Sequence, residues 1–440
     1  MIRGTAAAVL AIGLIATAPA CRGGGASSSS TAIPFVGVDP ASASPTDRAI
    51  AAAQERLRTV PGDQQARLQL AQAFLQKARE VADPSLYAKA RGLLDQLRKE
   101  QPENPEVFIT AGTLALAQHR FADARKLGQR AVELSPRSEG GLGVLVDADN
   151  ELGQYDEALQ VTQRMADIRP NLASLSRVSY ARELRGDLPG AIEAMTQAVI
   201  AGGANGGENV AYDQVLLGNL LLTTGDPAGA GRSYDDADRS FPGFAAAKAG
   251  RAQLLVASGR YDGAAAVLGD LVRVQPLAQY AIAQGDALVA AGRPADADAA
   301  YQLVDVISRL YAANGVNIDL EIALFDADHH PGSAAVAKAR RALADRPSTL
   351  GHDVLSWNLF RAGKVADAAK ESALALKLGT NDPQERYHAA RIAMAVGDRA
   401  AATHHLQVVL AENPRFSAAL AGDVVALAGE LGLPVPPPPP

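Results

Sequence analysis

The chain has 440 residues, more than one compact core usually organises; its hydrophobic share of 48%, swollen by alanine, and its aromatic share of 5% argue for closely packed helices and against strand-rich folds. A formal net charge of −6, from 42 basic and 48 acidic residues with no basic block, leaves nucleic-acid binding without its electrostatic footprint. The single cysteine, Cys21, excludes an internal disulfide framework and any multi-cysteine metal site.

The sequence opens MIRGTAAAVLAIGLIATAPAC: a positive charge at Arg3, an apolar run from Thr5 to Ala18, then Ala18-Pro19-Ala20. That order predicts a secretory signal peptide over residues 1–20, the run being too short for a comfortable membrane span. Cys21 follows small residues directly and precedes Gly23-Gly24-Gly25 and Ser27 to Ser30, which resembles a bacterial lipoprotein signal. The resemblance implies a lipid on Cys21 and a protein anchored to the cell membrane on its extracytoplasmic side. The lipoprotein pattern prefers leucine where Ala18 stands, so ordinary cleavage, giving a secreted or periplasmic protein, is the alternative. Residues 21–45 hold Gly, Ser, Ala and Pro with one apolar island, Ile33 to Val38. Such a stretch offers too little apolar surface to fold and predicts a flexible linker.

From about residue 64 the sequence repeats. An alanine opening each predicted second helix recurs at Ala90, Ala124, Ala158, Ala191, Ala230, Ala264, Ala297, Ala335, Ala368 and Ala402, with gaps of 34, 34, 33, 39, 34, 33, 38, 33 and 34 residues. Proline closes many units, at Pro102, Pro136, Pro170, Pro242, Pro276, Pro347 and Pro414. Glycine ends the first helix at Gly153, Gly186, Gly225, Gly259, Gly292, Gly363 and Gly397, where a left-handed cap costs least without a side chain. Within one unit, Leu217, Gly218, Leu221, Gly225, Ala230, Tyr234, Ala237 and Pro242 are spaced as in an antiparallel helix pair with small residues at the crossing.

This pattern resembles the tetratricopeptide repeat, a helix pair of about 34 residues. The resemblance implies an all-α fold: a right-handed α-solenoid of about ten such helix pairs over residues 46–432, ended by a C-terminal capping helix in RFSAALAGDVVALAGELG and a proline-rich tail at 433–440. The 39-residue gap, around Ala201 to Gly207, predicts an inserted glycine loop. The 38-residue gap, around 302–315, predicts a lengthened second helix that splays units seven and eight.

The sequence holds no Walker loop, G-x-S-x-G or H-E-x-x-H motif, so neither an enzyme nor a bound cofactor is expected. One alternative function, a metal-dependent enzyme or sensor, rests on Asp326, Asp328, His329 and His330 in FDADHHPG; the other reading of that stretch is a capped turn before Pro331. In repeats of the resembled family the first helices line a concave groove, and the residue after each helix's small residue faces it. Here that ladder is Gln72, Thr113, Asp147, Tyr180, Asn219, Gln253, Asp286, Leu324, Trp357 and Arg391. The resemblance implies a scaffold for a peptide or protein partner, with Asp147, Tyr180, Asn219, Gln253, Asp286, Trp357 and Arg391 as contacts and no nucleic acid. Trp357, the only tryptophan, reads either as an interface anchor or as core between units nine and ten.

Overall fold

A computed structural model describes residues 44–203 and 206–439. The predicted signal peptide, Cys21 and the island Ile33 to Val38 lie outside the described residues. A helix α1 (Pro45–Thr59) leads into ten antiparallel pairs. Units one to five are α2 (Gln64–Val81) with α3 (Ser85–Glu100), α4 (Pro105–Ala117) with α5 (Phe121–Leu134), α6 (Glu139–Glu151) with α7 (Tyr155–Ile168), α8 (Leu172–Glu183) with α9 (Leu188–Gly202), and α10 (Gly207–Thr223) with α11 (Pro227–Ser240). Units six to ten are α12 (Ala245–Ala257) with α13 (Tyr261–Val274), α14 (Ala278–Ala290) with α15 (Pro294–Ala313), α16 (Asp319–His329) with α17 (Ser333–Asp345), α18 (Thr349–Arg361) with α19 (Val365–Ala375), and α20 (Pro383–Ala395) with α21 (Arg399–Glu412). A last helix, α22 (Ala421–Leu431), buries Val424, Leu427 and Ala428 against Leu406, Val409 and Leu410 of unit ten, as a solenoid end requires. No strand occurs among the described residues, and none of their helices is long and apolar enough to cross a membrane.

The small residues explain how the pairs close. The recurring alanines from Ala90 to Ala402 are all at most 3% exposed, because a methyl group there lets facing helices meet. Tyr234 is fully buried between two glycines: a Cβ at Gly218 would stand 2.5 Å from its ring, and one at Gly250 closer still. At Gly225 (φ 73°) the chain leaves the first helix left-handed, and Asp226 then caps the next helix by accepting from the Gly229 amide at 2.8 Å, with Pro227 in its first turn. In unit two the turn residue is His119, at φ 55°.

Both long gaps become helix more than loop. The first lengthens α10 to 17 residues, and Glu208 in its added turn meets Arg79 of α2 at 3.1 Å and also accepts from Gln76. The glycine loop expected there is therefore short. The second makes α15 a 20-residue helix. Units seven and eight are joined through Val304 and Ile307 packed against Ile322 and Phe325. The segment after Pro414 begins as turns and becomes helical only at Ala421.

Six units on, the superhelix meets its own earlier turn. The Asn317 amide donates to the Gln118 carbonyl at 3.1 Å, and the His119 ring lies 2.7 Å from the Asn317 carbonyl. One unit further, the Thr349 amide donates to the Tyr155 hydroxyl at 2.6 Å, and Arg346 pairs with Glu151. Further still, Asn381 donates to the Gly186 carbonyl at 3.4 Å. Unit n thus touches unit n+6 at three successive places, a seam between turns of the superhelix.

Candidate functional site: a pocket inside the superhelix

The first helices of units five to ten surround a pocket of about 1170 Å³, a figure that includes its open mouth. Helix α10 supplies Asn219, Leu222 and Thr223; α12 supplies Gln253; α14 supplies Gln279 and Ile282. Helix α16 contributes Leu320, Glu321 and Leu324, α18 contributes Leu350 and Val354, and the start of α20 contributes Asp382, Pro383, Gln384 and Glu385. Asn413 and Phe416, after α21, close one end. Residues three, four and seven apart share one helix face, so each helix presents a single stripe to this space.

Five side-chain amides, three carboxylates and an apolar wall make up the lining, and no lysine, arginine or histidine belongs to it. Glu321 accepts from Arg346 through Oε1 at 3.1 Å, while its Oε2 is buried with no hydrogen-bond partner. Arg346 also pairs with Glu151, and the Oε1 of Glu151 is likewise buried without a partner. Burial works to lower the Arg346 pKa, but the two carboxylates outweigh it and hold the guanidinium above its ordinary range. At the start of α20, Asp382 Oδ1 accepts from the amides of Gln384 at 2.9 Å and Glu385 at 3.1 Å.

Of the ladder positions, Asn219, Gln253 and Leu324 line this pocket. Asn219 is held by the Tyr234 hydroxyl, which donates to its Oδ1 at 2.8 Å. Asp286 occupies the same position in unit seven and takes the Tyr301 hydroxyl at 2.9 Å, but it is only 2% exposed. Asp147 is buried in a two-pronged ion pair with Arg177, at 2.9 and 2.6 Å; burial lifts its carboxyl despite the guanidinium. Burial likewise raises the Tyr180 phenol well above its usual range. Gln72 donates to Thr110, Thr113 donates to the Ile109 carbonyl, and Arg391 is half-buried. Trp357 is core: 1% exposed, stacked 4.1 Å from His388, with its indole N–H donated to Asp328 at 2.8 Å.

Sequence reasoning did not single out Gln279, Ile282, Glu321, Leu350, Val354 or Gln384. Each lies three to seven residues before its helix's ladder position, so the signal was the rest of the same stripe. The superhelix crosses the pocket obliquely: the last turns of α10, the middle of α12 and the first turns of α14 to α20 reach it.

The FDADHHPG set does not converge. Asp326, Asp328 and His329 sit in the last turn of α16, where neighbours in sequence project in different directions. Asp326 pairs with Lys338 at 2.5 Å and with His330 at 3.4 Å, Asp328 takes Trp357, and His329 stacks against Tyr301 and Phe325. No group of three histidine, cysteine or acidic residues able to hold a metal ion occurs among the described residues.

One tetratricopeptide repeat family model matches residues 115–179 and 221–287, and a second matches residues 76–139. No curated protein sequence matches the chain. Among solved structures the chain is similar to TTC0263, a thermophilic tetratricopeptide protein of Thermus thermophilus, at 22% identity over 39% of this chain and 91% of that one, with a TM-score of 0.33. It is similar to yeast Tom70 at 13% identity over 82% of this chain and 95% of that one, with a TM-score of 0.34. A third is YrrB, described as a tetratricopeptide protein with an unusual peptide-binding site, at 14% identity over 45% of this chain and 97% of that one, with a TM-score of 0.28.

Proposed function

We propose that this chain, a tandem array of tetratricopeptide repeats, is a protein–protein interaction scaffold whose partner enters the superhelix pocket as an extended peptide segment. The observation that carries this reading is the run of side-chain amides, Asn219, Gln253, Gln279 and Gln384, set among Leu222, Ile282 and Leu350. A carboxamide both donates and accepts, so it pairs with the N–H and C=O groups that an extended segment leaves unmatched, whatever the side chains. The apolar wall then takes alternate side chains of that segment. The second part of the proposal is an address: a lipid on Cys21 holding the scaffold at the outer face of a bacterial cytoplasmic membrane. The order of Arg3, the apolar run, Ala18-Pro19-Ala20 and Cys21 supports it.

Gln253→Trp places an indole in the pocket without touching a turn or a cap. Cross-linking capture from solubilised membranes should recover a protein on the natural chain that the variant loses, with the far-ultraviolet circular dichroism of both unchanged. Equal recovery on both would remove the pocket from the reading. Cys21→Ser should move the protein from the membrane to the soluble fraction, and a variant that still sediments with membranes would remove the lipid.

A further inference from the structure

The lining of the pocket has a sign. Its charged members, Glu321, Asp382 and Glu385, are all acidic. Behind them Arg346 is one cation shared between two carboxylates, Glu151 and Glu321, and each of these keeps an oxygen buried without a hydrogen-bond partner. One guanidinium between two carboxylates leaves this corner with an excess of negative charge, and a cation brought by a ligand to the exposed side of Glu321 offsets it. The competing feature is the amino end of α20, which would favour an anion, but Asp382 already takes the amides of Gln384 and Glu385. Leu320, Leu324 and Leu350 beside Glu321 offer an apolar channel suited to an aliphatic stem with a charged tip.

We infer that the pocket selects a segment bearing a lysine or arginine, whose cationic head seats against Glu321 while its stem lies along Leu320, Leu324 and Leu350. The inference rests on the reading of the pocket as a peptide site. It adds what that reading leaves open, the chemistry of the segment. The amides recognise any extended backbone; Glu321 is the specificity determinant.

The test is a displayed library of random twelve-residue peptides selected on the full chain, with Gln253→Trp as the blocked control. The winning sequence is then synthesised with its basic residue and with norleucine in its place. Enriched sequences should carry lysine or arginine next to an apolar residue and disappear from selection on Glu321→Gln. The norleucine peptide should bind the natural chain about tenfold more weakly, the loss of one charge-assisted contact. The peptide substitution leaves the protein untouched, so it answers even where Glu321→Gln weakens the fold. Enrichment of acidic or uncharged sequences, or equal binding of the lysine and norleucine peptides, overturns the charge selection and leaves the peptide site standing. Peptides retained equally by Gln253→Trp, or no enrichment at all, overturn the peptide site and this inference together.

Discussion

A glycine in a helix ordinarily weakens it by about 0.5–1 kcal/mol relative to alanine, so its presence at Gly218 and Gly250 needs a reason. The reason is the Tyr234 ring, 0% exposed and pressed against both backbones, with its hydroxyl spent on Asn219. Gly250→Ala recovers the helix propensity but drives a methyl group into an immobile ring, and overpacking of that kind costs about 1–3 kcal/mol. The clash wins, and the denaturant midpoint should fall. Gly92 is the opposite case, a helical glycine whose added Cβ would meet nothing within 4 Å. Gly92→Ala should raise the midpoint, by an amount in line with about 0.5–1 kcal/mol. Chemical unfolding followed by circular dichroism compares the pair directly, and a common sign for the two variants would show that propensity alone governs these sites.

At the scale of elements, helices α8 and α10 are bridged by a buried carboxyl. Ser176 donates to Asp213, which is 2% exposed, and burial pushes the Asp213 carboxyl from 3.8 up to about 7, with Ser176 and Arg177 opposing. Between pH of about 4 and 7 the folded chain therefore holds a proton that the unfolded chain has released, and this group's contribution to stability falls as pH rises through that window. His405 works the other way: burial, helped by Arg386, depresses it to about 4 from 6.5, so its contribution is lost as pH falls between those values. Asp213→Asn isolates the first effect. Its melting temperature relative to the natural chain should be higher at pH 7.5 than at pH 5, and a difference of the opposite sign would rule out a raised carboxyl at this position.

The same scale shows what periodicity reveals. The turns at Gly225 and Gly259, and the alanines that bring helices together, are legible because each repeats with the unit and acts on its nearest neighbour. The left-handed turn at His119 is not, since no glycine marks it and its ring is used against Asn317, 198 residues away. The pocket is half legible for the same reason. The ladder locates Asn219 and Gln253, but which turn of the later helices reaches the space depends on the tilt set by α10, α15 and the seam. Those features occur once each, and a feature that occurs once leaves no period.

For the whole molecule, the seam departs from the nearest-neighbour logic that stabilises an ordinary solenoid. Arg346 is at its centre, 4% exposed, paired with Glu151 from the earlier turn and Glu321 from its own, with its guanidinium over the Phe121 ring at 5.4 Å. Arg346→Met removes the cation and strands two carboxylates, and breaking a buried pair from one side costs about 3–5 kcal/mol. That penalty falls on contacts between turns, whereas each helix pair keeps the alanine and tyrosine packing it shares with its neighbours. The strained element should therefore be the seam, which opens and lets water reach Glu151 and Glu321 while the helices persist. Small-angle scattering should show a larger radius of gyration for the variant at unchanged helical circular dichroism. A second replacement, Glu151→Gln with Arg346→Met, removes one of the stranded charges and should bring the radius part of the way back. An unchanged radius in the single variant would mean that Tyr155 with Thr349, and His119 with Asn317, hold the turns together without Arg346; a collapse of helicity would mean that the turns fold as one cooperative body and that the seam belongs to its core.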